Sequence, residues 1–168
     1  MKHWRSLLVA ALGALTLAGM GTVSALAEPR DTLIEFDSMT GIGPGGPTAR
    51  GLAGGGFPWM IQSGSGSVDR QGNVDVTVRG LVLAAGPTPP ALVGTNPIPK
   101  FAATVSCITP HGVMNVTTAT SPASTAGNST IDARVTLPHP CKSPEVFVGA
   151  ILNGSFHWFA VSNAEDRD

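Results

Sequence analysis

Apolar and polar side chains alternate along much of the chain beyond its N-terminal segment, and helical spacing is scarce. In Asn73–Arg79, Val74, Val76 and Val78 fall on one side while Asp75, Thr77 and Arg79 fall on the other, the period of a half-buried strand. Gly80 interrupts, and Leu81-Val82-Leu83 continues with no polar positions between. A bulge or bend is therefore expected at Gly80, where the strand passes into a covered region. Ile131, Ala133, Val135 and Leu137 repeat the alternation against Asp132, Arg134 and Thr136. Phe101, Ala103, Val105 and Cys107 share a face, which directs Cys107 inward. Thr32–Phe36 supplies a first strand.

Turn residues join these segments into hairpins. Phe101–Thr118 reads as two strands folded back at Thr109-Pro110-His111-Gly112. Asn153-Gly154 sits between Glu145–Leu152 and Ser155–Ser162, and both residues tolerate the positive φ of a type I′ turn. Asp69-Arg70-Gln71-Gly72 closes Trp59–Val68 onto Asn73–Ala84, and Pro122–Ser129 links Val113–Ala119 to Thr130–Leu137. About eight strands and no helix result, which predicts a single-domain antiparallel β-sandwich over residues 28–168, immunoglobulin-like or jelly-roll-like. Two stretches read as loops: the Gly-rich Gly41–Gly56, and Gly86–Lys100 with five prolines. The second is expected to cross between the two sheets.

The first 27 residues have the form of a cleaved secretory signal peptide. Lys2 and Arg5 precede an apolar run, Leu7 to Leu17, that is short for a bilayer span, and Ala25-Leu26-Ala27 places small residues before Glu28. Cleavage near Ala27 predicts a secreted or periplasmic protein, and the Ala/Gly/Leu-rich run has a bacterial character. No transmembrane segment is expected in the mature chain. Removing Lys2 and Arg5 leaves eight of the ten basic residues against eleven acidic ones, a net charge of −3. The acids are scattered and the bases few. Nucleic acid and anionic membrane surfaces, which need clustered Lys and Arg, are therefore poor partners, and the sequence names no other.

The sharpest chemical pattern is Cys107-x3-His111-x2-Met114. It resembles the copper-binding loop of cupredoxins, Cys-Thr-Pro-His…Met, where thiolate and imidazole hold copper and a thioether lies at a long axial distance. The resemblance covers Cys107–Met114 and would imply a periplasmic copper or redox protein. Three features depart from it. The mature chain has no histidine before His111, some fifty residues follow Met114, and a second cysteine, Cys141, is present. Cys107, His111, His139 and Cys141 have the ligand types for zinc, but His139-x-Cys141 is too close for a standard ligand pair. In an oxidising compartment two lone cysteines pair with each other, so a Cys107–Cys141 disulfide is expected, with no metal and no cofactor, and with His111 and His139 at the surface beside prolines.

Other patterns carry less. Gly41-Ile42-Gly43-Pro44-Gly45-Gly46 matches G-x-G-x-x-G, but no helix follows to hold a pyrophosphate. Ser63, Ser65 and Ser67 lack a nucleophile elbow. Glu35 and Asp37 share a strand face, as a carboxylate pair in a small secreted hydrolase would, or as two solvated acids. His157 alternates with Phe156 and Trp158 and reads as a satisfied, partly buried histidine or a solvent-facing one. Trp59 and Trp158 can stack on sugars or pack in the core with Phe101, Phe147, Phe156 and Phe159, and a chain without tyrosine favours the core. Asn115-Val116-Thr117, Asn128-Ser129-Thr130 and Asn153-Gly154-Ser155 match the glycosylation acceptor pattern. The balance predicts an exported, non-enzymatic module that binds a partner or builds the cell exterior, with Gly41–Trp59 and Gly86–Lys100 as its binding loops.

Overall fold

The structure, a computed structural model, describes residues 31–163. The expected leader, its cleavage site near Ala27 and the acidic C-terminus lie outside the described residues. Among the described residues thirteen strands form, of which eight have five or more residues: β1 (Thr32–Phe36), β5 (Ser63–Asp69), β6 (Asn73–Arg79), β8 (Lys100–Thr109), β9 (Gly112–Thr117), β11 (Ser129–Arg134), β12 (Lys142–Leu152) and β13 (Ser155–Ser162). These correspond to the eight that alternation and turns predict. The other five are two or three residues long: β2 (Met39–Gly41), β3 (Ala53–Gly54), β4 (Trp59–Met60), β7 (Val82–Leu83) and β10 (Ser121–Pro122). Among the described residues the helical content is one 3-10 turn, Pro90–Leu92.

The strands make an open, sandwich-like pair of sheets. The smaller sheet has the order β1-β5-β6-β11. The larger runs β10-β8-β12-β13-β2, with β9 added to β8 and β3 to β13, and β4 and β7 form a short ribbon of their own. Pairing is antiparallel except between β3 and β13. Residues Gly86–Lys100 carry the chain from the β6–β7 side to β8, the expected crossover.

Two predicted strands end early for visible reasons. Trp59–Val68 breaks after Met60, where Gln62 N–H reaches Arg79 O at 3.1 Å while Gly80, at φ 63°, turns the opposite strand away. Gly80 and Leu81 then bond to Asn128 and Gly127 instead of to β5. Strand β11 stops at Arg134: Val135 N–H still bonds in register to Gly72 O at 2.9 Å, but Gly72 N–H turns away to Asp69 O at 3.0 Å and closes the hairpin.

One core cluster lies between the sheets. Phe36, Val68, Val74, Val76, Val78 and Ile131 from the smaller sheet meet Phe101, Ala103, Val105, Cys107, Val146 and Val148 from the larger. Each side chain of valine size contributes on the order of 1.5–3 kcal/mol by leaving water. The larger sheet is also covered on its other face. Ala102, Thr104 and Ser106 of β8 are as buried as the residues between them, and so is Phe147 of β12. The cover is the Gly-rich segment, which folds back over this face.

Candidate functional site

Cys107 and Cys141 are joined, with Cα atoms 4.8 Å apart, and no described cysteine is free. The bond consumes the sulfur that a copper loop or a zinc set needs as thiolate. Met114 lies directly opposite Cys107 in the β8–β9 ladder, while His111 is exposed in the two-residue turn, where Thr109 Oγ1 accepts from its N–H. His139 is exposed and precedes a cis proline, Pro140. It lines, with Arg70 and Lys142, the rim of a cavity of about 350 Å³ floored by Leu33, Leu137 and the disulfide segment. Among the described residues no group of three or more His, Cys, Asp or Glu is gathered to hold a metal ion.

The residues of the carboxylate and serine readings share the outer face of the smaller sheet. Ladder register places Glu35, Ser67, Asp75 and Asp132 in one row across β1, β5, β6 and β11. Glu35 and Asp37 border the same open depression with Ser65, Ser67 and Asp75, so the two acids do share a face. No histidine lies in this row, and the face is broad and wet.

His157 is half-buried, its Nδ1 3.1 Å from Gly54 O, which matches the satisfied histidine of the sequence reading. Both described tryptophans are buried, which overturns a sugar-stacking platform. Trp59 stacks on Phe159 with centroids 4.1 Å apart and meets Phe101 edge-on in the inter-sheet core. Trp158 meets Phe147 edge-on at 5.6 Å on the opposite face of the larger sheet, beneath the Gly-rich cover.

The two long loops are less free than their composition predicts. Ala49 and Leu52 exchange backbone hydrogen bonds of 3.0 and 2.8 Å around Arg50 and Gly51, both at positive φ, forming a tight turn laid on the larger sheet. There Arg50 Nη2 pairs with Glu145 Oε1 at 2.9 Å and donates to Ser143 O at 3.1 Å, while Asn115 Nδ2 donates to Arg50 O. Ile42 sinks into the core, and a Cβ at Gly55 would meet the Phe159 ring at 2.5 Å. That close approach requires glycine at position 55, while Gly45, Gly46, Gly51 and Gly56 supply positive φ. In the second loop, buried Asn96 bonds to Ile98 and to Ser124 O.

The large apolar side chains that the loops leave exposed lie around the point where they meet. Ala84 N–H bonds to Pro58 O on one side, while Leu83 exchanges hydrogen bonds with Gly94 and Thr95 on the other. Phe57, Met60, Leu92 and Val93 flank this three-chain junction, and all four keep large apolar surface in water. Sequence reading selected both loops for their length and missed these four side chains. Glycine and proline content signals a loop, but only the β4–β7 ribbon shows that the two loops join. No family model, no curated protein and no solved structure matches the chain.

Proposed function

We propose that this chain is an exported, non-enzymatic β-sandwich protein that acts by binding a partner through the loop junction at Phe57, Met60, Leu92 and Val93. The reading rests chiefly on one observation, four large apolar side chains left in water where the two longest loops join. Apolar side chains grouped on a surface favour contact with another molecule. The disulfide is compatible with an oxidising compartment, and the leader-like first 27 residues point the same way. Among the described residues no helix is long and apolar enough to cross a membrane.

Deleting either loop is a poor test, because Ile42, Trp59 and Asn96 belong to the packed interior. Met60→Lys combined with Leu92→Lys changes only the exposed surface. Pull-down from the native envelope fraction is expected to recover a partner with the parent protein and to lose it with the double variant, at unchanged melting temperature. Equal recovery by both proteins sinks the proposal. The competing reading, a copper or redox protein using Cys107, His111 and Met114, needs a free thiol. Thiol titration of the native protein is expected to find none.

A further inference from the structure

We propose that strand β9 is a self-association edge, through which two copies of this chain pair antiparallel to extend the larger sheet across a two-fold axis. The observation begins with the edges of the two main sheets among the described residues. Strand β1 carries Glu35 and is flanked by Asp31 and Asp37, β11 carries Asp132 and Arg134, and β2, β3 and β10 are only two or three residues long. Charges and brevity are the usual protection of an exposed edge against pairing. Strand β9, Gly-Val-Met-Asn-Val-Thr, has neither. No Asp, Glu, Lys or Arg occurs from Phe101 to Ile131, and the charge nearest the strand, Arg50 beside Asn115, is paired with Glu145.

The edge is also open and aimed outward. Gly112 and Thr109 close the two-residue turn, and Thr118 N–H bonds to Ala103 O at 2.8 Å, which fixes the alternation of the β8–β9 ladder. The N–H and C=O groups of Val113, Asn115 and Thr117 therefore point away from β8. No backbone group among the described residues takes them. Val113 and Met114 are each 46% exposed. Met114 and Val116 lie opposite Cys107 and Val105 in the ladder, on the core-side face. The disulfide at Cys107 anchors the strand behind them, so little ordering is needed on pairing.

A second copy fits this edge because the uncharged strand Gly-Val-Met-Asn-Val-Thr is self-complementary about its centre. With the two-fold axis at Asn115, Met114 of one copy meets Val116 of the other, Val113 meets Thr117, and Asn115 meets Asn115. The two Met114–Val116 pairs set apolar against apolar, no like charges oppose, and about six backbone hydrogen bonds form. One strand per copy is a small interface, so a Kd on the order of micromolar is expected.

Sedimentation equilibrium of the disulfide-bonded protein over a concentration series is expected to show a monomer–dimer equilibrium. Met114→Lys should weaken the dimer by about tenfold or more, since two lysines then enter the apolar seam. Thr130→Lys, on the β11 edge, should leave it unchanged. Asn115→Cys should give a disulfide-linked dimer on mild oxidation, which reads the two-fold register independently of affinity. A protein monomeric throughout the series, a dimer indifferent to Met114→Lys, or a monomer whose β9 instead takes up an extended peptide overturns the proposal.

Discussion

Asn96, 3% exposed in the crossover loop, shows what a single residue can hold in place. Its amide donates to Ile98 O at 2.7 Å and Ser124 O at 2.8 Å, and its Oδ1 accepts from Ile98 N–H at 2.9 Å. Asn96→Ala leaves these groups buried without partners, which costs about 1–3 kcal/mol. Urea unfolding is expected to show the midpoint lowered in proportion at constant m-value, whereas Ser124→Ala, which keeps the carbonyl and loses only the exposed bond from Asn128 N–H to its Oγ, should cost less, under about 1 kcal/mol. Gly149 is comparably constrained. A Cβ there would collide with the carbonyl oxygen of His157 and stand 2.7 Å from Trp158 Cα. Neither role is legible in the sequence. An asparagine beside prolines reads as a turn residue, and the Ser124 carbonyl it binds lies 28 positions away. The valines of β6 were legible, because alternation depends only on neighbours and their buried face is the one the pattern predicts.

At the scale of elements, hairpins were the readable part. Asn153 and Gly154 adopt φ of 51° and 82°, as the turn between β12 and β13 requires. The two- and three-residue strands were not readable, since β3 and β4 exist only through partners distant in sequence. Cys107–Cys141 was readable by elimination, and it joins the end of β8 to the start of β12 across 34 residues. Replacing both cysteines by alanine is expected to lower stability by about 3–4 kcal/mol on the loop-entropy model. Guanidinium melts of the parent and the double variant measure it. A change under about 1 kcal/mol would mean that the reduced chain keeps this loop compact before folding. Arg50 fastens the other long connection. Its pair with Glu145 lies partly out of water, at 17% and 35% side-chain exposure, so Arg50→Ala removes both a charge partner and the clasp of the cover.

The whole molecule stacks three layers: the smaller sheet, the larger sheet, and the Gly-rich segment on the larger sheet's far side. Composition hid the third layer, because glycine and proline are read as punctuation, while here Ala49 and Leu52 close a turn around Arg50 and Gly51 that Arg50 fastens to Glu145 and Ser143. Two tryptophans report on the two interfaces separately. Trp59 sits between the sheets against Phe159 and Phe101, and Trp158 sits under the cover against Phe147. If the cover were a loosely attached flap, Trp158 would become wet before the sheets part. The packing argues otherwise, since Ile42 and Trp59 flank the cover and are anchored in the inter-sheet core, where Trp59 N–H bonds to Ile42 O at 2.9 Å. Lifting the cover therefore pulls on the core itself. In the leaderless protein, Trp59→Phe leaves Trp158 as the sole tryptophan, and Trp158→Phe leaves Trp59. Each variant's fluorescence transition in urea is expected to coincide with its own far-UV circular dichroism transition, the mark of one cooperative unit. A Trp158 signal that moves at lower urea than the dichroism would separate the cover from the sandwich and make it an independently opening layer.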